Sequence, residues 1–330
     1  MIRVAIIGSR GHISEVFDGW DAAGECELVG MARADRFDDV NRFSDQSAWG
    51  STTRAYDDYR RMLDEAKPDV ACVAMQYYQN AEVIVEVASR GIHVISEKPV
   101  ATTLGDLKRV RQAVARHNVR LTALLAMRLN SRIHAARQAV ADGLIGEPIL
   151  AFGQKSYRFG TRPDFFRRRD TYGGSIPWVA IHAIDFIRYC TQREYRSVRA
   201  LHANKAHPNY PGCEDAGALL FEMANGGQAV VSFDYLRPAA APTHGDDRLR
   251  IAGSRGVVEV RLADGLCQII TQSDGPRELT CPAAGQFFVD FVRELRGEGQ
   301  HVVGPDEAVR ITEIALKARE AADTDQIVSL

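Results

Sequence analysis

Residues 91–100, Gly-Ile-His-Val-Ile-Ser-Glu-Lys-Pro-Val, decide the fold. The apolar run after the glycine, residues 92–95, is typical of a buried parallel strand. Ligands of open α/β sheets bind outside the carboxyl ends of the strands, so Glu97 and Lys98 are expected at that edge. Pro99 restricts the backbone that carries the lysine. Taken alone, the tripeptide is equally consistent with an exposed charged pair at the end of a strand.

Strands and helices alternate on both sides of this stretch. The sequence predicts further strands at residues 2–8, 27–31, 70–74 and 121–126, and helices at residues 14–20, 81–89 and 104–116. Such alternation is typical of a doubly wound parallel sheet. The predicted fold class is therefore α/β, with an N-terminal Rossmann doubly wound parallel sheet in a domain of residues 1–126.

After residue 148 the pattern changes to strands joined by tight turns. Strands are predicted at residues 149–157, 198–202, 216–223, 228–235, 248–252, 257–261 and 268–271, followed by helices at residues 287–295 and 306–322. This succession indicates a C-terminal α+β domain with a large, mainly antiparallel open sheet. Residues 127–330 are assigned to that domain.

The composition excludes several classes of protein. Of 330 residues, 45% are hydrophobic and 25% charged, and 41 Lys and Arg face 43 Asp and Glu. This balance gives no overall field that would attract nucleic acid or a membrane surface. The six cysteines form no CxxC pair and have no metal-ligand spacing, so reduced thiols and no metal are expected. No segment approaches the ~20 apolar residues of a membrane span. A strand at the very start leaves no room for a signal peptide, so a cytoplasmic protein is expected.

The first predicted strand runs into a glycine turn, Gly8-Ser9-Arg10-Gly11-His12-Ile13, in front of a predicted helix. Strand, turn and helix start together make a phosphate cradle, because the first amides of a helix face the ligand. The dinucleotide fingerprint places glycine at positions 8, 10 and 13, whereas this chain has Arg10 and Ile13 at two of them. A plain strand–turn–helix corner is nearly as consistent with these residues.

The second predicted strand bears on the choice of cofactor. An acidic residue past its end would hydrogen-bond the ribose of NAD, whereas an arginine accommodates the 2′-phosphate of NADP. Arg33 lies nearest the expected end of the strand, and Asp35 follows two residues later. The sequence therefore predicts NAD or NADP, with NADP slightly favoured.

A predicted helix in the second half carries candidate catalytic groups. Glycines at residues 173–174 lead into it, with Ser175 in the position of an N-cap. Trp178, His182 and Asp185 recur at spacings of four and three, so they are expected on one face. The alternative is a core histidine hydrogen-bonded to Asp185. A lysine from a strand end and a histidine are, together, two groups that can move protons near neutral pH.

These motifs resemble the glucose–fructose oxidoreductase / inositol dehydrogenase (Gfo/Idh/MocA) family over nearly the whole chain. The resemblance rests on Glu97-Lys98-Pro99 at a strand end, on His182-Ala183-Ile184-Asp185, and on residues 143–148. It implies a Rossmann domain and a substrate-binding and oligomerisation domain. It also implies an NAD(P)-dependent oxidoreductase that transfers hydride between nicotinamide and a sugar, cyclitol or related hydroxyl/carbonyl substrate. Lys98 would contact the reacting hydroxyl, and His182, oriented by Asp185, would move its proton.

The glycine turn and the resemblance together give the other site residues. The predicted cofactor contacts are Gly8, Ser9, Arg10, Gly11, His12, Ile13, Arg33, Met75, Gln76, Asn80, Glu97 and Lys98. The predicted substrate contacts are Trp178, Arg158, Arg168 and Tyr172. The two arginines belong to a basic and aromatic stretch, residues 157–172, and guanidinium groups that reach a substrate favour a carboxylate or phosphate. The alternative is a solvated loop whose charges pair with Asp164 and Asp170.

The chain also departs from the family's pattern. Trp178 stands where many members have Asp, Asn80 where the family usually has His, and Met75-Gln76 replaces the usual Thr-Pro. Tryptophan has no useful acid–base group, so Trp178 would line the substrate pocket or pack as an aromatic residue of the core. Two alternatives therefore stay open. One is a non-catalytic NAD(P)-binding sensor or regulator, and the other is an NAD-dependent redox-assisted glycosidase.

The second half has few helices for so many strands, so one face of its sheet is expected to be exposed. Members of the family associate through that sheet. The expected partners are therefore a small-molecule substrate and further copies of the chain in a homodimer or homotetramer, with no nucleic acid and no membrane.

Overall fold

The computed structural model describes residues 1–330, which form two compact units. The first unit comprises residues 1–126 and 285–312, and the second comprises residues 127–284 and 313–330. The sequence prediction divides the chain once, after residue 126, whereas the compact units divide it there and again around residues 285–312.

The first unit is built on a parallel sheet of six strands in the order β3-β2-β1-β4-β5-β6, the doubly wound arrangement. The strands are β1 Ile2–Ile7, β2 Cys26–Ala32, β3 Arg54–Tyr56, β4 Val70–Val73, β5 His93–Ser96 and β6 Leu121–Ala123. Strand β4 is buried at every position, as expected for a parallel sheet covered on both faces. The predicted Rossmann sheet is confirmed.

The helices of residues 1–126 are α1 Ser14–Phe17, α2 Trp20–Ala23, α3 Tyr59–Ala66, α4 Asn80–Ser89 and α5 Leu104–His117. The single helix predicted over residues 14–20 is therefore two short ones. The break lies at Gly19, where a β-carbon would stand 3.3 Å from Cγ2 of Val289. Val289 thus packs close to the backbone at this break.

The second unit is built on a sheet of nine strands in the order β14-β13-β12-β11-β7-β10-β9-β8-β15. The strands are β7 Pro148–Tyr157, β8 Tyr195–Ala203, β9 Ala216–Met223, β10 Gln228–Asp234, β11 Gly245–Gly253, β12 Gly256–Arg261, β13 Leu266–Thr271, β14 Arg277–Glu278 and β15 Val328–Ser329. All pairs are antiparallel except β7 with β10. The predicted, mainly antiparallel sheet is confirmed.

Helices cover one face of this sheet. They are α6 Ser131–Ala141, α7 Arg169–Tyr172 and α8 Ile181–Thr191. Helix α8 lies against β7 at Gly153, where a β-carbon would stand 2.8 Å from Cδ1 of Ile187. A π-helical turn, Ile176–Ala180, leads into α8. Such turns hold one more residue than an α-helical turn and often occur at functional sites.

Residues 285–312 return to the first unit through α9, Phe287–Leu295. Phe288 stacks on Trp20 with ring centres 5.1 Å apart, and the Arg296 guanidinium donates to the carbonyl oxygens of Ala23 and Gly24. The last helix, α10 Pro305–Thr324, contributes residues to both units. None of the helices combines the length and the apolar character that a membrane crossing requires.

Candidate active site

Two positions of the glycine turn after β1 require glycine. Gly8 has φ +78° and Gly11 has φ +65°, both in the left-handed region. A β-carbon at Gly8 would stand 2.3 Å from the carbonyl oxygen of Ala74, and one at Gly11 would stand 1.7 Å from Oε1 of Glu97. The turn is therefore packed directly against the segments that follow β4 and β5.

The same turn leaves backbone donors for a ligand. The N–H of Arg10 donates to Ala74 at 3.0 Å, and that of His12 donates to Glu97 at 2.9 Å. The N–H groups of Gly11 and Ile13 donate to no acceptor of the protein. Unused amides in front of a helix are what a pyrophosphate group requires, so this turn fits a dinucleotide.

Glu97 holds the turn and the lysine together. Its side chain is fully buried, and Oε1 accepts from the His12 amide and lies 2.6 Å from Nδ1 of the His12 ring. Oε2 accepts the backbone N–H of Lys98 at 3.0 Å. The buried carboxylate therefore joins the glycine turn to the peptide of Lys98, and a cofactor contact by Glu97 stays a prediction.

Asn80, like Glu97, holds backbone segments together through its side chain. It is fully buried, and its Oδ1 accepts the N–H of Met75 at 3.2 Å. Its Nδ2 lies 3.4 Å from the carbonyl oxygen of Glu97 and 3.3 Å from that of Pro99. The Asn80 amide thus fixes the carbonyl groups of the residues before and after Lys98, and a cofactor contact by Asn80 stays a prediction. The lysine itself is 1% exposed.

Three loops at the carboxyl ends of β1, β2 and β4 meet at Asp35. Its Oδ2 accepts from Arg10 at 3.0 Å and from Gln76 at 2.7 Å. Burial opposes ionisation of this carboxyl, but the hydrogen bonds from Gln76, the Phe37 amide and Arg10 outweigh burial and lower its pKa. Asp35 is therefore an anion that ties the loops together at neutral pH.

In the second unit, α8 and the π-helical turn carry the predicted catalytic face. His182 is 4% exposed and Trp178 is 7% exposed. Ser175 does not cap the helix as predicted, because its Oγ donates to the carbonyl oxygen of Glu214 at 2.6 Å. Its N–H donates to the Glu214 carboxylate at 2.7 Å. Glu214, which the sequence did not single out, therefore holds the start of this segment.

Asp185 has a partner that the sequence did not predict. Nε of Arg128 donates to both carboxylate oxygens at 3.0 and 3.1 Å, and Nη2 donates to Oδ1 at 2.6 Å. Arg128 is 3% exposed, and its guanidinium also lies 5.0 Å from the ring centre of Tyr189. Arg128 is thus the partner of Asp185 that the structure shows, and orientation of His182 by Asp185 stays a prediction. Asp185 fixes α8 one turn beyond the histidine.

Known domains match both halves of the chain. An oxidoreductase family with an NAD-binding Rossmann fold matches residues 2–124, and the GFO/IDH/MocA C-terminal domain matches residues 133–259. The chain belongs to the Gfo/Idh/MocA family. This confirms the resemblance found in the sequence, and it makes the first unit an NAD-binding Rossmann domain.

Individual relatives agree with this assignment. The rhizopine catabolism protein MocA of Rhizobium meliloti is 22% identical over 324 residues, which cover 98% of this chain and 96% of that protein. Inositol 2-dehydrogenase of Serratia proteamaculans is 27% identical over 52% of this chain and 50% of its own length. D-apiose dehydrogenase of Paraburkholderia graminis is 26% identical over 84% of this chain and 71% of its own length.

Solved structures share the fold. A candidate oxidoreductase from Thermotoga maritima is 38% identical, covers 100% of both chains and superposes with a TM-score of 0.95. Levoglucosan dehydrogenase in complex with NADH superposes with a TM-score of 0.83 at 19% identity, over 99% of this chain and 98% of that chain. The second likeness bears on the fold alone.

Two predicted substrate residues of this Gfo/Idh/MocA protein have clear structural partners. Tyr172 is fully buried, and its hydroxyl lies 3.1 Å from both Ser175 Oγ and the Tyr235 hydroxyl. Burial raises the pKa of Tyr172 well above its usual value. Tyr172 is a core residue in this structure, and its substrate contact stays a prediction. Arg168 pairs with Asp170 on the exposed surface, as the solvated-loop alternative expects.

Trp178 occupies a different setting from the one that α-helical spacing predicts. It lies within the π-helical turn Ile176–Ala180, whose extra residue rotates Trp178 relative to His182. Trp178 remains a predicted wall of the substrate pocket, with packing as the alternative.

Proposed function

We propose that the protein is an NAD(P)-dependent dehydrogenase or reductase that acts on a hydroxyl or carbonyl group of a sugar, cyclitol or related compound. The observation that carries the proposal is the double use of Glu97, which locks the glycine turn with one oxygen and the peptide of Lys98 with the other. The relatives named for inositol and D-apiose support the substrate class. When bound, the nicotinamide supplies the hydride acceptor or donor.

The chain's own residues supply binding and proton transfer. Lys98 donates a hydrogen bond to the substrate oxygen, and His182 takes the proton of the hydroxyl group as that oxygen becomes a carbonyl oxygen. Arg128, through Asp185, keeps α8 in place while His182 exchanges protons. Trp178 contributes no proton and shapes the pocket wall.

The test is a spectroscopic panel. Purified protein with NAD or NADP is mixed with neutral sugars, cyclitols and their acidic derivatives, and the absorbance band of reduced nicotinamide is followed. A dehydrogenase changes this band with at least one compound. Cofactor binding without any change would favour the sensor, and release of an aglycone from aryl glycosides without net reduction would favour the redox-assisted glycosidase. Either result would overturn the proposal.

We further propose that NADP is bound slightly more tightly than NAD. Arg33 follows β2 directly, and its guanidinium pairs only with Asp57, at 2.9 Å. Asp57 is 87% exposed, and exposed pairs contribute little, so a 2′-phosphate can replace it. Asp35 is the carboxylate that would repel a 2′-phosphate, and its charge is already balanced by an ion pair with Arg10. These features together favour the phosphorylated cofactor.

Replacing Arg33 with alanine is expected to weaken NADP binding about tenfold, because one charged hydrogen-bonding partner of the phosphate is lost. NAD binding should change less than about twofold. Calorimetric titration of both cofactors measures this. Arg61→Ala, which removes an exposed arginine paired with Glu65, is the control. An equal loss for both cofactors would contradict the assignment of Arg33.

The proposal includes self-association through the open face of the second sheet. Leu201 and Leu220 are 61% and 50% exposed there, and Val230 lies beside Leu220 on the next strand. Exposed aliphatic side chains that adjoin across strands form an apolar patch that favours a partner. We therefore propose a homodimer or homotetramer, in line with the expectation from the family resemblance.

Leu220→Lys should shift this assembly toward a monomer of 36.5 kDa, because a charge would be buried at its centre. Light scattering at micromolar concentration measures the mass. Leu144→Lys is the matched control, since Leu144 is 41% exposed and precedes β7 instead of lying on the open face. A wild-type protein that is already monomeric would refute the proposal.

A further inference from the structure

Two of the six cysteines come together at one edge of the second sheet, where β14 pairs with β13 in antiparallel fashion. The pairing extends one residue past β14, because the N–H of Leu279 donates to the carbonyl oxygen of Cys267 at 2.9 Å. The thiol of Cys281 donates to the carbonyl oxygen of Leu279 at 3.3 Å. The Cys281 sulfur therefore points back to the residue that lies opposite Cys267.

The two thiols act directly on each other. Burial, then the hydrogen bond with the Cys281 thiol and then its charge raise the pKa of Cys267 to about 12. Cys267 is thus a protonated thiol at neutral pH, with a second thiol as its neighbour. Two adjacent thiols are the arrangement from which an intramolecular disulfide forms.

Cys190 of α8 is the competing neighbour of Cys267. Burial raises the pKa of the Cys190 thiol, with a smaller contribution from the charge of Cys267. Cys190 is fully buried within the helix, and its sulfur donates to the carbonyl oxygen of Ile133 at 3.5 Å. This thiol is fixed in the core, so Cys281 is the better placed partner for Cys267.

Within the pair, Cys281 is the thiol that a dissolved reagent reaches. It is half-buried, whereas Cys267 is 4% exposed. A disulfide needs the two β-carbons about 3.8 Å apart. Cys281 follows β14 in a segment without helix or strand, so it can approach Cys267 without loss of strand pairing. A reaction that begins at Cys281 can therefore pass on to Cys267.

We propose that Cys267 and Cys281 form a reversible modification site, at which a small disulfide such as oxidised glutathione converts the two thiols into one intramolecular disulfide. The Cys281 thiolate attacks one sulfur of oxidised glutathione, and the other half leaves as reduced glutathione. The Cys267 thiolate then attacks the Cys281 sulfur, and the second half leaves in the same way. The two cysteines lose two electrons and two protons, which are recovered in two molecules of reduced glutathione.

The disulfide ties the outermost strand to the rest of the sheet. Strand β14 has two residues, both exposed, so few buried contacts hold it against β13. A crosslink that closes the loop from residue 267 to residue 281 limits how far this edge opens. The edge therefore gains a covalent tie in oxidising solution and loses it in reducing solution. Neither cysteine takes part in the proposed proton transfer, so the inference is independent of the proposed function.

The test is a peptide map of the full chain. The protein is incubated with oxidised glutathione, remaining thiols are blocked with iodoacetamide, and tryptic peptides are analysed without reduction. Cleavage after Arg277 separates the two cysteines, which then lie in the peptides of residues 262–277 and 278–293. These two peptides are expected to be joined in most molecules, and treatment with reduced glutathione should separate them.

Three variants separate the steps. Cys281→Ser should leave Cys267 as a thiol, because the buried sulfur is reached only through Cys281. Cys267→Ser should retain one glutathione on Cys281, because no second thiol displaces it. Cys26→Ser removes the other half-buried cysteine, which lies in the first unit, and should leave the joined peptides unchanged. Unchanged circular dichroism spectra show that the variants are folded.

Hydrogen exchange gives a second readout. The Leu279 amide is expected to exchange at least about tenfold more slowly in the oxidised protein, because the crosslink restricts the opening of its hydrogen bond to Cys267. In Cys281→Ser, oxidised glutathione should not change this rate.

Wild-type protein that keeps both thiols, or that retains glutathione on Cys281, would overturn the proposal. A link between Cys267 and Cys190 would do so as well, as would oxidation of Cys267 in Cys281→Ser. Because no cofactor or substrate enters the experiment, its result does not depend on whether the protein is a dehydrogenase.

Discussion

His182→Ala is expected to lower kcat by about 10²- to 10⁴-fold, the usual contribution of a positioned general base. Lys98 remains to bind the substrate oxygen, so catalysis should not vanish completely. The glycine turn and Glu97 lie in the other unit and are unaltered, so the dissociation constant of NAD or NADP should stay near the wild-type value. Steady-state rates on the substrate found by the panel, together with cofactor titration, measure both quantities.

His134→Ala provides the control, because His134 lies on α6 of the same unit and has no part in the proposed proton transfer. Its kcat should match that of the wild type. An unchanged kcat in His182→Ala would remove this residue from the mechanism. A parallel loss of cofactor binding would show instead that His182 has a structural role.

Arg128→Met should destabilise the protein by about 3–5 kcal/mol, the usual cost of leaving one partner of a buried ion pair without the other. Both side chains are almost fully buried, at 3% and 1% exposure, so water cannot replace the lost hydrogen bonds to Asp185. Urea denaturation followed by circular dichroism measures the change in the free energy of unfolding.

A second variant separates charge from packing. Arg128→Met combined with Asp185→Leu replaces the ion pair by apolar groups, and it should recover most of the loss because no uncompensated charge remains. Arg137→Met is the matched control, since Arg137 also stacks on Tyr189, at 4.5 Å, but pairs with no buried carboxylate. A loss in Arg137→Met as large as in Arg128→Met would contradict this account of Asp185.

Elements with a strong local pattern were predictable from sequence. Buried parallel strands such as β4 are continuous apolar runs, and residues 216–223 and 287–295 coincide with β9 and α9. Strand β3 escaped prediction because only one of its three residues is buried. Its place at the sheet edge comes from pairing with β2, which no local pattern reveals.

The sequence identified positions of the candidate site more readily than the roles of the side chains at those positions. Sequence named Glu97 and Asn80 as cofactor contacts but could not show that both side chains are buried. Arg128 and Glu214 were missed for another reason. Arg128 meets Asp185 from 57 positions away, and Glu214 meets Ser175 from 39 positions away. Residues so far apart in sequence are brought into contact only by the tertiary structure.

Because Phe288 covers Trp20, a gene fragment ending at codon 126 would encode a nucleotide-binding unit with a bare aromatic surface. The second unit is encoded by two separate stretches, codons 127–284 and 313–330. Recombination that replaces this unit would therefore need one crossover on each side of codons 127–284 and a third within the codons of α10. Wholesale exchange of halves is therefore a poor evolutionary route for this lineage. New specificities should arise by point substitution on the inherited sheet.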